Sequence, residues 1–211
     1  MRRAAAMLVL AVLAGGAGVA ARNDLRDFRV GMPVEAITLH GYAGLFCVAA
    51  PSVALGSWGE WARCPADAQG RHEVGFVYDN ADNALARVSE DGQGTKVAGQ
   101  PVLPSLLIAD GRLAGLRIAT DPKQPLFVRR RADVFGLQAR ARYGGEGWRC
   151  EDRPPGADRQ PIGDVFVDQH CEKDADGRHY AVERALYRDP ARPLRDFTSS
   201  AQVTILAAGA P

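Results

Sequence analysis

Four cysteines constrain this chain more than any other feature. Cys47, Cys64, Cys150 and Cys171 fall in two collinear stretches. The segment from Cys64 to His72 (CPADAQGRH) and that from Cys171 to His179 (CEKDADGRH) share six of nine positions at an offset of 107. Upstream, Val34 to Cys47 and Leu137 to Cys150 agree at Ala36/Ala139, Gly41/Gly144, Gly44/Gly147 and the cysteine, at an offset of 103. The four-residue difference falls inside the Cys–Cys loop, where an insertion costs little closure entropy. The spacing reads as an internal duplication. Four cysteines allow three pairings. The duplication selects Cys47–Cys64 and Cys150–Cys171, one bridge per copy.

Bridges need an oxidising compartment, and the N-terminus supplies a route to one. Arg2-Arg3 precede an apolar run from Ala4 to Leu13, and Val19-Ala20-Ala21 places small residues at −3 and −1 of a cleavage site. That order is a secretory signal peptide over residues 1–21, cut before Arg22. No cysteine follows the cut, so no lipoprotein anchor is expected, and nothing downstream predicts stable membrane insertion. Arg far outnumbers Lys, and Ala, Gly and Pro are abundant, a usage typical of GC-rich bacteria. The expected location is periplasmic or secreted.

With 26 Lys+Arg against 25 Asp+Glu, the chain lacks the basic excess of a nucleic-acid coat. Its 211 residues, 46% hydrophobic and 24% charged, suit one globular domain or two small ones.

Each copy opens on a helical pattern. Pro33 suits a first helical position, Glu35 the positive helix end, Val34, Ile37 and Leu39 an apolar side, and Gly41 a stop. In the second copy Arg131 to Tyr143 carries Val134, Leu137 and Ala141 on one side before Gly144-Gly145. Strands follow. Asp110-Gly111 and Asp176-Gly177 each sit between apolar, alternating runs and predict β-hairpins. Ala201 to Leu206 predicts a last strand. The expected class is α+β: two tandem repeats, each a short helix followed by antiparallel strands, with helices packed on one face of the sheet and one disulfide per repeat. The expected units are residues 22–122 and 123–211, together forming two domains or one compact one.

Phe28-Arg29-Val30-Gly31-Met32, a short helix, Gly41, Cys47 and then Cys64 resemble the β-lactamase inhibitory protein family. The same opening is similar to that of small outer-membrane assembly lipoproteins. Asp110 to Gly115 resembles the hairpin that closes an inhibitor unit. The resemblance implies a duplicated helix-on-sheet unit and a protein-binding role. Pro33 stands where Thr is usual, and the second copy has no Gly-Met.

Signatures of catalysis are few. There is no Gly-x-Ser-x-Gly, no Ser-x-x-Lys, no Walker loop and no dinucleotide glycine fingerprint. Glu172-x-Asp174-x-Asp176-Gly177 followed by Glu183 has calcium-loop spacing, but its flanks read as strands where an EF-hand needs helices. His40, His72, His170 and His179 have no ligand spacing that points to zinc. Arg129-Arg130-Arg131, with Arg140, Arg142 and Arg149, forms the one basic cluster, suited to a solvated face, an acidic partner or lipid headgroups. Trp58, Trp61 and Trp148 lie near the cysteine loops and Tyr180 follows His179. They are candidate protein-binding anchors or core residues. The expected function is an exported, non-enzymatic protein-binding module, inhibitor-like or scaffold-like, with an unknown protein partner and no cofactor. The alternative is a small-ligand-binding protein or an enzyme whose site is assembled from distant residues.

Overall fold

A computed structural model describes residues 23–79 and 95–209. The expected signal peptide therefore lies outside the described residues. Among the described residues ten strands form the framework: β1 (Tyr42–Cys47), β2 (Ala50–Ala54), β3 (His72–Tyr78), β4 (Lys96–Val97), β5 (Gln100–Ala109), β6 (Arg112–Thr120), β7 (Arg149–Asp152), β8 (Val167–Ala175), β9 (Arg178–Tyr187) and β10 (Thr198–Ala207). They make one antiparallel sheet in the order β2-β1-β3-β5-β6-β10-β9-β8-β7, with β4 paired to β5. Between β6 and β7 lie two helices, α1 (Leu126–Arg129) and α2 (Val134–Arg142). Single 3-10 segments occur at Val34–Ala36, Trp58–Arg63 and Leu194–Asp196.

This corrects the expected α+β class. The chain is one large sheet with a few short helices, and it does not form two helix-then-strand repeats with helices laid over one face. Two physical causes stand out. First, the expected helix after Pro33 is only one 3-10 turn, because its backbone groups pair elsewhere. Gly31 N–H donates to Leu113 O, Leu113 N–H to Met32 O, and Val34 N–H to Gly111 O. Bonds to the β5–β6 hairpin thus replace bonds along a helix. Second, β10 is hydrogen-bonded on both edges. Gln202 to Leu206 pair with Ala119 to Gly115 of β6, while Thr198 to Ala207 pair with Tyr187 to Arg178 of β9. Strands from the two halves of the sequence thereby join in a single sheet.

Both Asp-Gly hairpins form. Asp110 and Gly111 have φ of 50° and 68°, and Asp176 and Gly177 have φ of 52° and 71°. Positive φ at both central positions is what a two-residue hairpin turn requires. The calcium-like spacing therefore sits on a strand–turn–strand unit. Both disulfides also form with the expected partners, Cys47–Cys64 and Cys150–Cys171. They indicate an oxidising, extracytoplasmic environment. Among the described residues no helix is long and apolar enough to cross a membrane.

Most core packing lies on one side of the sheet, with Leu107 buried on the other. Phe28, Tyr42, Trp58 and Phe76 cluster with ring centroids 4.8 to 6.0 Å apart. All four are buried, and such rings each contribute roughly 1.5–3 kcal/mol of transfer energy. At the other end of the same side, α2 lies on β9 and β10. Gly136 allows the approach, since a Cβ there would sit 2.4 Å from Arg184 Cγ. Arg184 in turn donates to Asp133 O at 3.0 Å and pairs with the Asp133 carboxylate at the helix start.

Candidate functional site

Strand alternation assigns every second residue to the opposite side of the sheet. On the helix side stand Leu116, Ile118, Val203, Val182 and Cys171, all buried. Their neighbours in sequence form a second face. Its middle is built from small and polar residues: Ala119 of β6, Ser200, Gln202 and Thr204 of β10, and Ala181 and Ala185 of β9. Register aligns Ser200 with Ala185, Gln202 with Glu183, and Thr204 with Ala181. Short side chains at these points leave a trough. A depression of about 310 Å³ lies there, bordered by Ala119, Ala185, Ser200, Gln202, Glu183, Tyr187 and Arg153. Arg153 brings the 153–165 segment to the edge of this face. It is tied at one corner, where Arg153 and Arg159 both pair with the buried Asp168.

The two ends of the face differ in chemistry. Towards β1, β3 and β5 it is apolar around one polar knot. Val77 and Leu103 are exposed there. Phe46 lies over Gly75, whose absent side chain makes the room, since a Cβ would come within 2.4 Å of the ring. Between them Ser105 Oγ donates to Glu73 Oε1 at 2.6 Å, and Arg117 pairs with the same carboxylate.

Towards β8 and β9 the face is acidic and imidazole-rich. His170, Glu172 and Asp174 alternate along β8, and His179 and Glu183 stand opposite on β9. The His170 ring lies 3.0 Å from Glu172 Oε1, and the His179 ring lies 2.9 Å from Asp174 Oδ1. The His170 hydrogen bond holds the Glu172 carboxyl below its ordinary range, outweighing partial desolvation. The His179 hydrogen bond, aided by Arg149, does the same for Asp174. Among the described residues no group of three or more His, Cys, Asp or Glu converges as metal ligands would.

A second cavity lies on the helix side. It measures about 350 Å³ between α2, β4 and the sheet, and Val97, Ile118, Phe135, Ala139 and Val203 line it, with Gln138 and Arg142 exposed beside it. Its lining is apolar, so it suits an apolar occupant.

The four aromatic candidates are all on the helix side. Trp58 is buried in the ring cluster, and its indole N–H donates to Thr38 O at 3.1 Å. Trp61 packs edge-on against His72 at 4.8 Å. Tyr180 is buried and stacks on Tyr143 at 5.0 Å, with Trp148 at 6.4 Å from it. Trp61 and Trp148 keep partial exposure. None of the four stands on the open face. The basic cluster is likewise dispersed: Arg140 donates to Gln169, Arg149 pairs with Asp174, and Arg129 turns towards Arg195. Reading single aromatics misses the open face. Its signal is the alternation itself, with Ser200-x-Gln202-x-Thr204 polar against Ala201-x-Val203-x-Ile205 apolar. No known family model matches the chain, and neither does any curated protein or solved structure.

Proposed function

We propose that this chain is an exported, non-enzymatic protein-binding module of the bacterial envelope, inhibitor-like or scaffold-like, and that it binds through the open face of its sheet. The observation that carries the reading is the face that the described residues leave largely uncovered. An antiparallel sheet that packs its core mainly on one side presents a broad, rigid surface on the other. Here that surface combines exposed apolar side chains, a trough of small residues and an ionic rim. Protein interfaces combine the same three elements, an apolar centre, close shape fit and a polar edge. Among the described residues no hydroxyl or thiol is hydrogen-bonded to the His–carboxylate pairs, which favours recognition over covalent catalysis. The resemblance to the inhibitor family implies the same kind of role.

Capture from periplasmic extract on the purified chain tests the reading. Ala185→Arg fills the trough, whereas Gln138→Arg alters the helix side. A specific protein held by the unmodified chain and by Gln138→Arg, but lost with Ala185→Arg, is the expected result. No enriched protein, or capture indifferent to Ala185→Arg, would refute it. The apolar cavity beside α2 favours the second reading, a small-ligand carrier. A small apolar compound released on denaturation, and displaced by Gln138→Arg, would support that instead.

A further inference from the structure

We infer that the chain carries a second surface that docks onto an anionic lipid bilayer. It lies at the α1 end of the molecule, in the segments that continue from Thr120, Tyr187 and Thr198 at the edge of the trough. Phe127 is the most exposed large apolar side chain among the described residues at 64%, and Leu194 follows at 59%. Leu126 is also exposed, at 46%. Two segments present these side chains, 121–131 and 189–197, and the fold brings them together. Arg129 Nη2 donates to Arg195 O at 3.4 Å, and the Arg129 guanidinium lies 5.9 Å from the Phe197 ring centroid.

Around the apolar tips the charge is one-sided. The two segments hold Lys123, Arg129, Arg130, Arg131, Arg192 and Arg195 against Asp121, Asp189 and Asp196. Among the described residues, the only salt bridge of either segment is the long Arg192–Asp189 contact at 3.9 Å. Arg130, Arg131 and Arg195 are exposed and form none.

The combination decides the occupant. A solvated basic face needs no exposed Phe and Leu in the same segments. An acidic protein would meet the arginines but would need a shaped recess for three protruding side chains. A bilayer interface accepts both, since Phe and Leu enter the headgroup–acyl boundary while arginines meet lipid phosphates. Pro122, Pro125 and Pro193 restrict the backbone of both segments, so less ordering entropy is lost on docking.

Co-sedimentation of the purified chain with vesicles tests this. One set contains phosphatidylglycerol in phosphatidylcholine and the other phosphatidylcholine alone. Binding should be specific to the anionic vesicles and should vanish as salt rises from about 0.1 to about 1 M, where the Debye length falls from about 10 to about 3 Å. Arg130→Ala with Arg131→Ala should lower the partition coefficient about 25-fold, taking about fivefold per arginine near an anionic surface. Phe127→Ala should lower it about tenfold, and a matching far-ultraviolet spectrum and melting temperature would show each fold intact. Equal binding to both vesicle types, no binding to either, or binding unchanged in these variants would overturn the inference. So would light scattering that shows a dimer lost on Phe127→Ala, because the patch would then be covered by a second copy. Open-face capture that fails while vesicle binding holds would count against the proposed function and not against this surface.

Discussion

The two disulfides close loops of similar length, so loop entropy alone makes them nearly equal. Sequence separations of 17 and 21 residues correspond to about 3 kcal/mol each in the chain-entropy treatment, with the longer loop ahead by about 0.2 kcal/mol. Packing reverses that order. Cys47 and Cys64 are both buried in the main core, at 0% and 3% exposure. Cys47→Ala with Cys64→Ala removes two buried sulfurs, worth about 1 kcal/mol apiece if each counts as a methylene-sized group, for a total near 5 kcal/mol. The other bridge joins β8 to β7, the edge strand, all four residues of which are exposed. Cys171 is buried but Cys150 is not. Without that bridge β7 can fray while the rest of the sheet persists, so Cys150→Ala with Cys171→Ala should cost about 3 to 4 kcal/mol or less. Urea unfolding followed by far-ultraviolet circular dichroism compares the two variants. The first should have the lower midpoint, or be unfolded in buffer near 37 °C, as loss of a native bridge often causes. Hydrogen exchange should show lost protection confined to β7 in the second. An equal or larger loss for the Cys150–Cys171 pair would refute the packing argument.

Three further outcomes follow from particular contacts. Gly115→Ala would place a Cβ 2.6 Å from Ile205 O, a backbone atom of the β10 strand that joins the two halves of the sheet, so urea unfolding should show a loss of about 3 kcal/mol, the upper end for overpacking. Asp24 is buried, accepts from Val30 N–H at 2.7 Å and pairs with Arg178 at 3.1 Å, so Asp24→Ala should lower stability by about 3 kcal/mol in a urea titration, while an unchanged midpoint would mean the pair holds nothing. Glu172 and Asp174 bind protons more weakly in the folded chain than in the unfolded one. Their stabilisation is therefore full above the ordinary carboxylate range and is lost as pH falls through their lowered folded values. Carboxyl resonances in an acid titration should show Glu172 returning towards its ordinary value in His170→Ala, with Asp174 unmoved.

Local features of the fold were legible and long-range ones were not. The Asp-Gly turns demand positive φ, which the sequence announces directly, and the cysteine blocks carry their own pairing. Val34, Ile37 and Leu39 misled because apolar spacing says nothing about where backbone N–H groups go. Here Val34 N–H goes to Gly111 and Gly31 N–H to Leu113, more than 70 residues away. The pairing of Gln202 with Ala119 has no local signature, yet it is what makes one sheet of two halves. Trp58 and Tyr180 were readable as large aromatics, but which side of a sheet they occupy depends on register. The open face was in principle visible as alternation along 178–187 and 198–207. Its middle shows few large side chains, and small residues attract no attention until a sheet sets them side by side.

Site-specific photo-crosslinking in the cell envelope tests the binding face most directly. A photoreactive residue is placed at Gln202 in the trough, at Glu183 on its rim, and at Gln138 on the helix side. Discrete protein adducts from positions 202 and 183, and none from 138, are the predicted result. Adducts from position 138 alone, or none from any position in cells that export the chain, would contradict the account.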